Sequence, residues 1–161
     1  MSSFTFLSPQ EARAGGGFEP RLSSPLVRAL EHAPFLRDLS FVRKLEVRGD
    51  VDALGLDGEV VRMTERRALV LGDGASLAAL EDAGYVVTDM TGALAGLELE
   101  GVRLMRRLTE LDLDALPAVG SVAHVQTVVL RDGERFRLFF PQEFGHYLAE
   151  VVIDAAEGLA A

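Results

Sequence analysis

The chain has 161 residues, 48% of them hydrophobic and 25% charged, and carries a formal net charge of −9. It contains no cysteine, which excludes disulfides, thiolate metal sites and cysteine nucleophiles. No apolar run approaches the roughly 18 to 20 residues of a membrane span, and the acidic balance repels phosphate backbones. Because the first residues also lack a signal-peptide pattern, we expect a cytoplasmic protein that binds neither nucleic acid nor membrane.

Residues 1–23 carry three consecutive glycines and two prolines without a lasting apolar period. This composition is typical of a flexible N-terminal arm, because it buries too little apolar surface to offset the entropy of ordering. Its Phe4 and Phe6 could dock on another chain. The rest of the chain, residues 24–161, is predicted to form a single α+β domain.

The domain is expected to begin with a short helix. Ser24 followed by Pro25 is a helix-start pattern, and this helix is expected to place Leu26, Val27 and Leu30 on one apolar side. A strand follows near residue 44, where apolar and charged residues alternate as in a half-buried strand. Two strands are predicted next, over residues 59–63 and 67–72. A helix ended by a glycine follows over residues 75–84, and then a strand of the buried type over residues 85–89.

Asp89 closes this last strand and raises the question of a catalytic carboxylate. The Asp-Met-Thr-Gly sequence that it begins differs from the Asp-Thr-Gly of aspartic proteases, and a lone acid would need a partner carboxylate. An aspartate before a turn commonly accepts backbone hydrogen bonds across that turn. We therefore interpret Asp89 as structural.

The second half of the chain opens with a strand whose Leu97 and Leu99 mark its inner face. A helix is predicted over residues 102–116, and its Arg103, Arg106 and Arg107 are interpreted as a solvated face rather than a nucleic-acid site. Residues 121–141 are predicted to form a hairpin around an Asp-Gly turn, and residues 142–159 an amphipathic helix. Since hairpins outnumber crossovers, the predicted class is α+β, with mostly antiparallel sheets and packed helices.

Candidate site residues are few. The three histidines are far apart, no metal-ligand spacing accompanies them, and no nucleophile motif is present, so neither metal nor catalytic residues are predicted. His124 and Gln126 have the same parity on a predicted apolar strand from Val122 to Leu130. They are the ligand-binding candidates if they line a pocket, although a frayed strand end would equally account for them.

An ordered set of motifs between residues 85 and 157 resembles the glycine-cleavage T-protein-like, folate-binding aminomethyltransferase fold. The stretches are "VVTDMTGALAGLELEG" (86–101), "LMRRLTELDLDALPAVGSV" (104–122) and "TVVLRDGERFRLFFP" (127–141), followed by a closing helix. Within that group the chain is most similar to the gamma subunits of heterotetrameric sarcosine oxidase, which share its short length. The resemblance implies the α+β fold of these proteins.

The resemblance also implies a role. The chain would be a noncatalytic gamma-type subunit of a sarcosine-oxidase-like flavoenzyme complex linked to tetrahydrofolate and one-carbon metabolism, with flavin held only in partner subunits. T proteins carry an acid where this chain has Gln126, which argues against catalysis by the isolated chain. The alternative is a stand-alone folate-binding protein or aminomethyltransferase relative, with His124 and Gln126 facing tetrahydrofolate.

Overall fold

The structure, a computed structural model, describes residues 23–55, 59–74 and 76–160. The predicted arm, residues 1–23, therefore lies almost entirely outside the described residues. The described chain forms nine strands and four helices, with short 3₁₀ turns at Val51–Ala53 and Gln142–Phe144. The strands are β1 Arg37–Asp38, β2 Lys44–Arg48, β3 Glu59–Thr64, β4 Arg67–Leu71, β5 Val86–Asp89, β6 Leu94–Glu100, β7 Ala118–Val122, β8 Val125–Asp132 and β9 Arg135–Pro141. The helices are α1 Val27–Leu30, α2 Leu77–Asp82, α3 Val102–Leu108 and α4 Gly145–Ala160.

The strands form two antiparallel sheets. One has five strands in the order β1-β6-β9-β8-β7, and the other has four in the order β3-β4-β2-β5. Consecutive strands pair as hairpins at β3–β4, β7–β8 and β8–β9. The α+β class with antiparallel sheets, predicted from the sequence, is confirmed.

The elements stack in four layers. The outer face of the five-stranded sheet packs against α1, α3 and α4, and this cluster contains buried Phe136, Leu138 and Phe140 of β9. The outer face of the four-stranded sheet packs against α2 through Leu45, Val47, Val70 and Leu80. Between the two sheets lies a third apolar cluster: Leu39, Val61, Leu69, Leu71, Val128, Leu130 and Phe139.

The stacking of the two sheets buries both faces of strand β2. Its alternation predicted a half-buried strand with Lys44 and Glu46 on the solvent side, and that prediction is wrong. Leu45 and Val47 face α2, while Lys44 and Glu46 are also buried, on the opposite face. The charged side chains are enclosed because the five-stranded sheet covers that face.

Two other elements differ from their sequence predictions. Strand β5 was expected to be buried, but it is the edge of the four-stranded sheet, and Val86 is 65% exposed. Val27 was expected on the apolar side of α1 with Leu26 and Leu30, but it is exposed, whereas Leu26 is buried and Leu30 packs partly buried against the core. In both cases a β-branched apolar residue was assigned to the interior by its type, whereas strand order and helix orientation decide its exposure.

Helix α3 is shorter than predicted. It ends at Leu108, because Thr109 adopts an extended conformation with φ −150° and ψ 151°. The Thr109 hydroxyl donates to the Ser121 carbonyl at 2.6 Å, which ties the end of the helix to β7. Leu111, expected on the helix, instead packs from the following loop against Gly120.

Candidate functional site

His124 does not lie on a strand. It is the second residue of a two-residue turn, Ala123-His124, that joins β7 to β8, with Val122 paired to Val125 across the turn. Ala123 has φ 46° and His124 has φ 67°. Such left-handed conformations suit Gly or Asn, so the sequence carried no signal for this turn. The prediction that one strand runs from Val122 to Leu130 is therefore wrong.

The strained turn is held by contacts from two helices. The Ala123 amide donates to the Leu108 carbonyl at the end of α3, at 2.7 Å. The Tyr147 hydroxyl of α4 donates to the Ala123 carbonyl at 3.2 Å. Consecutive left-handed residues other than glycine cost about 1 to 2 kcal/mol each, so this conformation persists only because the surroundings impose it.

A groove of about 470 Å³ lies beside this turn, between the ends of α3 and α4. Its lining combines an apolar floor with hydroxyl, imidazole and charged groups. We call it the His124 groove, and its residues are Arg107, Leu108, Thr109, Glu110, Ser121, Ala123, His124, Tyr147 and Val151. His124 is exposed there and Tyr147 is 45% exposed, so both are available to a ligand or a partner.

Gln126 occupies a different place. It is exposed on β8, on the face directed toward the four-stranded sheet, and it lines a cleft of about 280 Å³ between the two sheets. Met63, Leu69, Met90 and Leu94 make this cleft largely apolar, and Glu46 and Arg67 supply charge. His124 does not line it, so the two candidates face separate cavities rather than one pocket.

Glu46 is the charged centre of this inter-sheet cleft. Its carboxylate accepts from Arg67 Nη2 at 2.7 Å and from Arg48 Nε at 2.6 Å. The hydrogen bond from Arg67 lowers the pKa of Glu46, assisted by Arg48 and opposed by burial. Sequence reasoning missed this cluster, because Glu46 was assigned to solvent.

Lys44 is a fully buried cation beside the same inter-sheet layer. Its Nζ donates to the carbonyls of Ser40 at 2.9 Å and Val42 at 2.6 Å, and lies 5.7 Å from the centroid of the Phe139 ring. Burial lowers the pKa of Lys44 to about 8, although the charges of Asp89 and Asp38 act in the opposite direction. Its bonds to backbone carbonyls indicate a structural clamp on residues 40–44.

Asp89 has the structural role predicted from the sequence, because it stabilises the turn that follows β5. Its Oδ1 accepts from the Thr91 amide at 2.8 Å, and Thr91 Oγ1 in turn accepts from the Lys44 amide at 3.0 Å. The hydrogen bonds from Thr91 lower the pKa of Asp89. The interpretation of Asp89 as a turn residue is confirmed.

Residues 23–55, 59–74 and 76–160 were compared with the geometry of metal sites and of membrane-spanning helices. Within them, no group of three or more histidines and carboxylates has a geometry that could hold a metal ion. No helix in this part of the chain is long and apolar enough to cross a membrane.

Comparison with solved structures identifies a similar fold. A chain of the heterotetrameric sarcosine oxidase from Corynebacterium sp. U-96, solved in complex with pyrrole 2-carboxylate, superimposes with a TM-score of 0.73 at 19% sequence identity. The match covers 87% of this chain and 97% of that chain. The two chains share one fold. The resemblance to sarcosine oxidase that the motifs indicated is thus confirmed at the level of the fold.

Other comparisons add little to this result. Aspartokinase III from E. coli, in complex with lysine and aspartate, matches with a TM-score of 0.40 at 12% identity, over 73% of this chain and 31% of that one. No protein-family model matches the chain. No curated protein sequence matches it significantly.

Proposed function

We propose that this chain is a noncatalytic, gamma-type subunit of a hetero-oligomeric, sarcosine-oxidase-like flavoenzyme complex. The observation that carries the proposal is the extent of the structural match. It covers 87% of this chain and 97% of that chain, so the similarity extends over almost the whole of the neighbour's chain and not over one part of it. The neighbour is a chain of an assembly described as heterotetrameric.

The environment of the titratable groups supports a noncatalytic role. Among the residues that the structure describes, each carboxylate or amine whose pKa is clearly shifted is already bonded to its own chain: Glu46 to two arginines, Lys44 to backbone carbonyls, and Asp89 to the turn that follows it. Catalytic acids and bases must instead reach a substrate. We therefore assign the amine oxidation to partner subunits that carry flavin.

The cellular setting follows from the same proposal. A sarcosine-oxidase-like complex would work in the cytoplasm and release a one-carbon unit that tetrahydrofolate accepts. His124 and Gln126 stay the candidate contacts of this chain to such a ligand. Since they line separate cavities, each would contact a ligand or a partner surface independently.

Co-expression tests the proposal. The chain is expressed alone and together with its genomic neighbours, and masses are compared by size-exclusion chromatography with light scattering. We expect a stable hetero-oligomer in the second case, with flavin absorbance in the same peak. A monomer in both cases would contradict the proposal. Calorimetric binding of tetrahydrofolate by that monomer would support the stand-alone folate-binding alternative.

A further inference from the structure

Helix α3 carries three arginines that have no partner in the described part of the chain. Arg103, Arg106 and Arg107 are exposed, and none makes a hydrogen bond or an ion pair with another described residue. Seven other arginines do pair with carboxylates: Arg37, Arg48, Arg62, Arg67, Arg131, Arg135 and Arg137. In a chain of net charge −9, three unpaired cations on one short helix require an explanation.

The helix dipole accounts for only part of this cluster. Arg106 and Arg107 lie in the last turn of α3, where the helix dipole stabilises a cation. Arg103 lies in the first turn, where the same dipole opposes a cation. Residues three and four positions apart share a helix face, so the three guanidinium groups lie on one side of α3. We call this face, with its three residues, the arginine face.

The arginine face continues into the His124 groove, because Arg107 belongs to both. The groove adds an exposed Tyr147, an exposed His124 and an apolar floor that includes Leu108 and Val151. Arginine and tyrosine are enriched among the residues that contribute most to protein–protein binding. The groove therefore places an apolar floor next to a row of cations, although its lining also includes one carboxylate, Glu110.

The turn that forms one wall of the groove supports a role in binding. An Asn-Gly turn would adopt the same left-handed conformations with little strain, whereas Ala123-His124 adopts them at a cost. Backbone strain concentrates where a side chain must be presented for function. Here the strained turn presents His124 at the mouth of the groove.

We propose that the arginine face and the His124 groove together bind an acidic segment of a partner subunit. Carboxylates of the segment would pair with Arg103, Arg106 and Arg107, and an apolar side chain would enter the groove onto Leu108 and Val151. This inference rests on the proposed function, since it assigns the surface on which such a complex assembles. The apolar floor of the groove beside these cations favours an acidic protein segment over nucleic acid, because it offers a site to an apolar side chain and none to a phosphate backbone.

Charge reversal tests the proposal in the assembled complex. Partner subunits are purified from the source cells and immobilised, and binding of the recombinant chain is measured by biolayer interferometry. We expect Arg103→Glu with Arg107→Glu to weaken binding about tenfold or more, mainly through slower association. The matched control is Arg28→Glu with Arg66→Glu, which makes the same change of net charge at two exposed arginines without a described ion pair, and it should bind like wild type.

A second variant separates binding from folding. Ala123→Asn with His124→Gly should raise the melting temperature, because it relieves the left-handed strain, while it lowers partner affinity. Wild-type affinity should also fall between about 50 and 500 mM salt more steeply than that of the reversed variant.

The outcomes are distinct. A complex that forms equally well with the reversed chain would overturn this inference and leave the proposed function intact. No complex with wild type would overturn both. If wild type instead binds a fluorescent single-stranded oligonucleotide and Arg103→Glu with Arg107→Glu abolishes that binding, the arginine face is a nucleic-acid site and the inference is wrong.

Discussion

Lys44 is the only lysine of the chain, and it has no exposed surface. Replacing it with methionine keeps a side chain of similar length and removes the charge. The folded-state pKa of Lys44, about 8, lies below the ordinary value of 10.5, so the unfolded chain binds more protons between these two values. Wild-type stability should therefore rise with pH across this window, relative to Lys44→Met.

The magnitude follows from the two pKa values. Between pH 7 and pH 9 the folded lysine loses its proton while the unfolded one keeps it, so the stability of the wild type rises by about 1 kcal/mol relative to the variant. Above about pH 10.5 the lysine is neutral in both states and the gain levels off. Below about pH 7 both states are charged, so the difference between the two proteins stays constant.

Urea unfolding of both proteins at several pH values measures this difference, and other titrating groups cancel in the comparison. If the variant fails to fold, the wild type still provides the test. Lysine labelled with ¹³C at Cε gives one side-chain signal, because the chain has one lysine. Parallel stability profiles from pH 7 to 9, or an NMR pKa near 10.5, would refute the burial of a cation between the sheets.

Two further predictions concern packing and charge at the same layer. Gly96→Ala should destabilise the protein by about 2 kcal/mol or more in thermal unfolding, because its Cβ would lie 2.6 Å from the Leu39 carbonyl oxygen. Gly92→Ala is the control, because a Cβ at Gly92 meets nothing within 4 Å. Equal melting temperatures of the two variants would contradict the close approach at Gly96. Glu46→Gln should lower stability at neutral pH, because it weakens the charge-assisted bond to Arg67. Folding lowers the pKa of Glu46, so the difference in unfolding free energy between wild type and Glu46→Gln should shrink as pH falls below about 5. A difference that stays constant down to about pH 3 would argue against the ion pair.

Local signals in the sequence predicted much of the fold. The turn between the strands predicted over residues 59–63 and 67–72 and the Asp-Gly turn between β8 and β9 lie where expected. The helix predicted over residues 75–84 is capped by Ser76, whose side chain accepts from the Ala79 amide. These features depend on turn and cap chemistry within a few residues. They require no knowledge of what packs on the element.

The features that the sequence did not predict depend on distant contacts. The alternation in β2 was read as one buried and one exposed face, because nothing in residues 44–48 indicates that a second sheet covers Lys44 and Glu46. The end of α3 depends on the bond from Thr109 to Ser121. The turn at Ala123 lacks the Gly or Asn that usually marks such a turn.

In the candidate site, too, local sequence patterns predicted some features and distant contacts decided the others. His124 and Gln126 were paired by counting residues along an assumed continuous strand. The two-residue turn breaks that strand, so His124 lies in the groove beside α3 and Gln126 in the cleft between the sheets. The arginines of α3 were correctly predicted to be exposed, but only the structure shows that no described carboxylate pairs with them.

The proposed function makes this chain a subunit of a flavin-containing, sarcosine-oxidase-like complex. The most direct test is to attach an affinity tag to the chain in its source cells, purify it under native conditions and assay the product for sarcosine oxidation. We expect flavoprotein subunits to co-purify in fixed stoichiometry, and we expect sarcosine turnover that the isolated recombinant chain lacks. A tagged chain that elutes alone, without flavin and without turnover, would contradict it.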